Sequence, residues 1–240
     1  MTPGDIRERL CRNEIPYGED VPEKLAVYMK LLEEWNTKID LIAPAEEDEV
    51  LDLHFIDSLA VLKTGLMPEG GRVIDIGTGA GFPGMALAIA REGLDVTLMD
   101  AQKKRLGFLE KVAAETGLKN VTIVHSRAED AAKKKEYREQ FDIAAARAVA
   151  PLNVLVEYLL PFVRIGGSAL CWKGPAVNDE LESGRRAAHL VGGRLEMPVR
   201  CPVAGREWDH LILPVRKTER TAAAYPRRSG VPKAAPLASK

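Results

Sequence analysis

Apolar positions in the first seventy residues recur at helical spacing. Leu25, Met29, Leu32 and Trp35 form one stripe among charged residues, and Leu51, His54 or Phe55, Ile56, Leu59 and Leu62 form a second. The spacing predicts an N-terminal helical layer over residues 1–70, with the acidic run Glu46-Glu47-Asp48-Glu49 at the start of its second helix, where negative charge is favoured. From Gly71 short apolar runs alternate with helix-length segments, the signature of βαβ units and a parallel sheet. Strands are expected at 72–76, 95–99, 121–125, 142–146, 168–173, 194–199 and 210–215, and helices at 84–92, 103–116, 150–163 and 178–190. The last two strands are joined by a short stretch with Pro202 and Gly205, which predicts an antiparallel hairpin. The expected fold is therefore α/β, a seven-stranded, mostly parallel sheet over 71–216 with a helical N-terminal extension and an irregular tail over 217–240.

Composition narrows the class. A chain of 240 residues with 46% hydrophobic and 29% charged content is that of a globular protein with one main core. The start of the chain has no basic region followed by an apolar stretch, and Arg147, Pro151, Glu157 and Arg164 interrupt the later apolar runs, so neither export nor a membrane span is expected. Three scattered cysteines without a C-x-x-C pair suit a reducing compartment and offer no zinc site. A cytoplasmic, metal-free monomer is expected. The net charge of -1 is unevenly spread: from Arg216 onward seven basic residues face the single acid Glu219. Such a tail is read either as solubilising or as contacting an anionic partner.

The chemistry is concentrated after the first expected strand, in Asp75-Ile76-Gly77-Thr78-Gly79-Ala80-Gly81. A glycine-rich turn at the carboxyl end of a strand lets a ligand approach the backbone. The spacing is G-x-G-x-G; the third glycine of the dinucleotide pattern G-x-G-x-x-G would fall on Phe82. Asp75, two residues before the turn, suits the cationic amino acid end of S-adenosylmethionine better than a pyrophosphate. Asp100 ends the next strand at the distance expected of an acid that binds ribose hydroxyls. Glu129, after the third strand, is either a helix-start charge or a ligand contact, and the other two elements favour contact. Arg147, which follows an apolar run at the ligand edge, reads as a site residue. The fourth strand end carries no Asn/Asp-Pro-Pro-aromatic run, and Cys171 lies inside a strand as a core residue.

These residues, together with Trp35-Asn36, His54-Phe55-Ile56-Asp57-Ser58, Gly81-Phe82-Pro83-Gly84, Ser126-Arg127-Ala128-Glu129, Ala146-Arg147-Ala148, Trp172-Lys173-Gly174 and Tyr225-Pro226-Arg227-Arg228-Ser229-Gly230-Val231-Pro232, closely resemble the RsmG (GidB) family, ribosomal RNA small subunit methyltransferase G. The resemblance covers nearly the whole chain. It implies a Rossmann-like class I methyltransferase fold and N7-methylation of one guanine in 16S ribosomal RNA, on the RNA or on the small subunit, with S-adenosylmethionine as methyl donor. It implies cofactor contacts at Gly77, Phe82, Ala128, Glu129 and Arg147, beside Asp75, Gly79, Gly81 and Asp100. His54, Asp57, Lys173, Arg227 and Arg228 are assigned to RNA contact or positioning; without the resemblance, His54 and Asp57 read as a local pair on one helix and Lys173 as a solvated charge. Where the family usually has Asn-Leu-Thr, this chain has Asp40-Leu41-Ile42.

Guanine N7 carries a lone pair and no proton, so alignment suffices and no catalytic acid, base or nucleophile is expected. The competing readings are a methyltransferase for another RNA or a small molecule, a nucleotide-dependent oxidoreductase, and a non-catalytic RNA-binding module.

Overall fold

The computed structural model describes residues 1–208 and 210–239. Five parallel strands, β1 (Gly71–Ile76), β2 (Leu94–Asp100), β3 (Val121–His125), β4 (Phe141–Arg147) and β5 (Val163–Lys173), are extended by β6 (Gly193–Leu195), β7 (Val199–Arg200) and β8 (Leu211–Lys217). The order is β3-β2-β1-β4-β5-β8-β6, with β7 also on β8, and β8 runs antiparallel to β5, β6 and β7. The Rossmann-like arrangement is as expected, but with eight strands in place of seven. The expected strand at 194–199 divides because Pro198 has no N–H to give to the ladder, which leaves two short strands on β8.

Strands covered on both faces read as continuous apolar runs, and here Val73–Ile76 and Ile143–Ala146 are buried throughout. One apolar layer joins the sheet to α5 (Gly84–Ala90), α6 (Lys103–Glu115) and the N-terminal helices, and includes Leu25, Phe55, Leu87, Phe108 and Trp172. The other covers the opposite face with α7 (Ala128–Ala131), α8 (Leu152–Leu159) and α9 (Leu181–Leu190). Pro151 and Pro161 confine α8 within the expected 150–163, since proline tolerates a helix start but not its interior.

The helical layer begins with α1 (Pro3–Arg12), which the apolar stripes did not disclose; a reciprocal Thr2 and Asp5 capping box starts it. Next come α2 (Val21–Asn36) and α3 (Glu47–Val50). The latter passes through a π-helical segment (Leu51–Ile56) into α4 (Asp57–Leu59) and a 3-10 turn (Ala60–Lys63). The widened turn carries His54, and such bulges are frequent at functional sites.

The tail is ordered against the body. Lys217 ends β8 in full burial, bonded to Leu160 O at 2.9 Å and to the Thr221 hydroxyl, with Glu139 at 3.5 Å; burial lowers its pKa to about 8. Arg138 donates to the carbonyls of Thr221, Ala222 and Tyr225 at 2.7, 3.2 and 2.9 Å. Arg227 forks onto Glu157, with Nη2 to Oε2 at 2.7 Å and Nε to Oε1 at 2.9 Å. Asn153 holds Leu237 O at 2.9 Å, and α10 (Val231–Ala234) makes one helical turn where irregular chain was expected. The cause is buried polar demand: Glu157 is fully buried, and only a segment that brings Arg227 to it satisfies the carboxylate.

Arg227→Ala should therefore destabilise the fold by about 3 to 5 kcal/mol, the usual cost of stranding a buried charge. Urea unfolding checks this; a loss below about 1 kcal/mol, the range of surface pairs, would contradict it.

Candidate active site

The turn after β1 is built from the inside out. Asp75 is fully buried, and its Oδ2 accepts the Thr78 hydroxyl at 2.7 Å and the Gly84 N–H at 2.9 Å, closing the loop onto the start of α5. Its Oδ1 is buried and has no partner. Burial raises its pKa to about 6, against the two hydrogen bonds that lower it. Asp100 Oδ2 takes the Gly79 N–H at 3.0 Å and Oδ1 takes the Gln102 N–H at 2.8 Å. The buried Tyr28 hydroxyl of α2 donates to Ala80 O, so the helical layer fixes the turn from beneath. Gly81 has φ of 99°, and a Cβ there would stand 2.8 Å from Leu109 and 2.9 Å from Met85. Gly79 has φ of 58° and open space, the nearest atom to a Cβ being 3.8 Å away, so the loop is free at Gly79 and packed at Gly81.

Ala128 and Glu129 begin α7 at the carboxyl end of β3, both buried, and Glu129 Oε1 accepts the Gly230 N–H at 2.9 Å. Thus Glu129, read as a cofactor contact, also seats the tail. Exposed Arg228 lies two residues before Gly230, whereas Arg227 is committed to Glu157.

A second cluster forms where β4, β5 and the helical layer meet. Arg147 Nη1 donates to Leu53 O at 2.7 Å and lies 3.2 Å from Asp57 Oδ2, while its guanidinium carbon sits 5.1 Å from the centre of the Phe82 ring. Its Nη2 is 2.8 Å from His54 Nδ1. A guanidinium only donates, so Nδ1 accepts and the imidazole is neutral. Burial and then the Arg147 charge agree, lowering the His54 pKa to about 4. Asp57 is 2% exposed; its Oδ1 accepts from His210 Nδ1 at 2.7 Å, and its carbonyl accepts the Trp172 indole N–H at 3.3 Å. The hydrogen bond to Asp57 raises the His210 pKa, with burial opposing. Phe82 is buried between Tyr28, 5.3 Å away, and His54, 5.2 Å away.

His54, Asp57, Arg147, Trp172, Lys173 and His210 line a cavity of about 350 Å³. The expected residues His54, Asp57, Phe82 and Arg147 thus meet, as a network rather than as the local helix pair. Lys173 lines the same cavity but is spent on Glu180 Oε2 at 2.6 Å and Ala150 O at 2.9 Å. His210 and Glu180 were not anticipated. A signal for His210 existed: an antiparallel last strand begins where its parallel neighbour ends, so the residue before it belongs to the ligand edge. Cys171 is core, its thiol pushed up to about 12 by burial, and among the described residues no His, Cys, Asp and Glu cluster could hold a metal. No helix among them is long and apolar enough to cross a membrane.

Comparison with known proteins agrees with this geometry. A family model described as rRNA small subunit methyltransferase G matches residues 22–207. Ribosomal RNA small subunit methyltransferase G of Alkaliphilus oremlandii is 44% identical over 214 residues, 89% of this chain and 90% of that protein. The Clostridium perfringens protein of the same name is 41% identical over 227 residues, 94% of this chain and 95% of its own. Among solved structures, YcgJ of Bacillus subtilis shares the fold with a TM-score of 0.54 at 15% identity, covering 69% of this chain and 100% of that one. M. jannaschii TYW2 in complex with AdoMet gives 0.53 at 16%, covering 75% and 78%.

The two histidines should titrate in opposite directions from the ordinary value of 6.5. His210 holds its proton more tightly in the folded than in the unfolded chain, so its pair with Asp57 adds stability below that value and loses it as pH rises through the folded pKa. NMR titration of the imidazole carbons should show His54 neutral down to pH about 4 and His210 protonated above 6.5. A common midpoint for both would contradict the network.

Proposed function

Because the chain belongs to the rRNA small subunit methyltransferase G family, we propose that it transfers a methyl group from S-adenosylmethionine to N7 of one guanine in the 16S RNA of the small ribosomal subunit. The observation that carries this reading is the juxtaposition at Phe82: the glycine turn leads into it, and its ring lies directly under the Arg147 guanidinium of the second cluster.

The residues present fit the cofactor. The buried, unpartnered Asp75 Oδ1 is an acceptor for its ammonium group, Gly79 leaves room for a ligand against the backbone, and Asp100 stands at the strand end suited to ribose hydroxyls. Ala128 and Glu129 line the next strand end, where an adenine is read. When bound, the cofactor supplies an electrophilic methyl group on a sulfonium.

The chain's own contribution is positioning. A cavity of about 350 Å³ lies within the range of small-ligand sites and suits a single base. Asp57 and Phe82 fix Arg147, and Asp57 orients His210, so the donors facing the cavity are set before substrate arrives. Such preorganised alignment is worth on the order of 7 to 11 kcal/mol, enough for an acceptor that loses no proton. Neutral His54 accepts from Arg147 and therefore holds it without adding charge.

RNA contact is supported by the rim of this edge. Lys103 and Lys104 open α6 after β2, Arg127 precedes α7 after β3, and Arg228 lies beside the Gly230 anchor; all four are exposed, and none is ion-paired among the described residues. Arg227, by contrast, has its charge neutralised by Glu157.

Replacing Lys103, Lys104, Arg127 and Arg228 together by Gln should leave S-adenosylhomocysteine affinity intact and weaken small-subunit binding, flattening its log-log salt slope by roughly 0.7 to 0.9 per lost phosphate contact. Arg147→Ala, in the same assay, should abolish methyl transfer without changing that slope. An unchanged slope in the quadruple variant, or full activity in Arg147→Ala, would count against the assignment.

A further inference from the structure

A concavity of about 770 Å³ lies away from the site, on the outer face of the helical layer. The outer stripe of α2, Glu23, Ala26, Val27, Lys30 and Glu33, forms one wall at helical spacing, while Leu25, Tyr28 and Leu31 face the core. The opposite wall is the 42–45 loop and α3. Asn36, at the end of α2, ties that loop down: its Oδ1 accepts the N–H groups of Leu41 and Ile42 at 2.9 and 3.0 Å, and its Nδ2 donates to Ile42 O at 3.1 Å. The groove is therefore held open by side-chain bonds.

Two features define what it can hold. Its floor is apolar, with Ala26, Val27, Ile42, Ala43 and Pro44; Val27 is 37% exposed. Its surroundings are anionic: residues 1–50 hold thirteen carboxylates against six Lys and Arg, and Glu33, Glu46 and Glu49 are exposed without an ion pair among the described residues. Lys30 is the one cationic side chain in the described lining, where the Met1 ammonium is paired with Glu47 at 2.8 Å. Of the departure noted at Asp40-Leu41-Ile42, Ile42 reaches the lining and adds an apolar side chain to the floor.

We propose that this groove docks a Lys/Arg-rich amphipathic segment of a protein component of the small subunit, apolar face on the floor and cations against the carboxylate rim. RNA is disfavoured because phosphates would meet the same carboxylates. Proteins that hold RNA must carry Lys and Arg, so a ribonucleoprotein substrate presents this chemistry, and helix-in-groove docking supplies the geometry. The choice of partner rests on the ribosomal substrate proposed above; the groove's preference for a cationic amphipath does not.

The test uses the full chain and a synthetic Lys/Leu peptide of about 15 residues with leucines at helical spacing, beside an isomer of scrambled order, in calorimetric titration. The patterned peptide should bind at least tenfold more tightly than the scrambled one, and Val27→Arg with Glu33→Lys should remove that preference while S-adenosylhomocysteine affinity and unfolding midpoint stay unchanged. In methyl transfer the same variant should raise KM about tenfold for assembled subunits and leave protein-free 16S RNA unaffected. Equal binding of both peptides would reduce the groove to bulk charge attraction and overturn the proposal. So would a variant with an unchanged KM ratio, or concentration-dependent dimerisation abolished by Val27→Arg, which would make a second copy the occupant. If the wild type methylated neither substrate, the ribosomal reading would fail and the subunit partner with it, while the peptide titration would still decide the groove.

Discussion

Asp57 is a carboxylate taken almost wholly out of water, and the surrounding structure is organised to satisfy it. Arg147 comes from the end of β4, His210 from the residue before β8, and the Trp172 indole from β5 closes on the Asp57 carbonyl. Stranding such a charge costs several kcal/mol, so the helical layer that carries Asp57 has one low-energy seat on the sheet. That seat brings the π-helical segment with His54 over Phe82 and places Tyr28 beneath the glycine turn. The cavity lined by Arg147 and His210 and the glycine turn are thus held in register by one buried ion network.

This arrangement separates two tasks usually merged in an active site. Buried groups set geometry: Asp75 closes the loop, Asp100 holds its crest, and Asp57 aims two cationic or donor side chains. The cations Lys103, Lys104, Arg127 and Arg228 at the sheet edge are exposed and take no part in that buried geometry. The first fifty residues, by contrast, are predominantly acidic, with an apolar groove on their outer face.

The sheet was legible because strands buried on both faces are written as uninterrupted apolar runs, and Ile143–Ala146 falls where the run does. The glycine turn was equally visible, since its conformations demand glycine at Gly79 and Gly81. What escaped was whatever depends on partners far apart in the chain. His210 joins the network only because Asp57, over 150 residues earlier, faces it. Arg227 was read as an RNA contact, yet a buried Glu157 seventy residues upstream claims it. The tail was expected to be irregular for the same reason: its anchors, Arg138, Asn153 and Glu129, all lie in the body. The split of β6 and β7 at Pro198 was readable in principle, because the missing N–H is a local fact.

The account stands on a methyl group delivered to one unprotonated ring nitrogen by alignment alone. Small subunits from a strain lacking this enzyme, incubated with the protein and S-adenosylmethionine carrying a labelled methyl group, provide the direct measurement when the RNA is then reduced and cleaved at N7-methylguanine. The account predicts a single new cleavage site that coincides with the label. Label at another atom, or no transfer to subunit or free RNA while S-adenosylhomocysteine still binds, would contradict it.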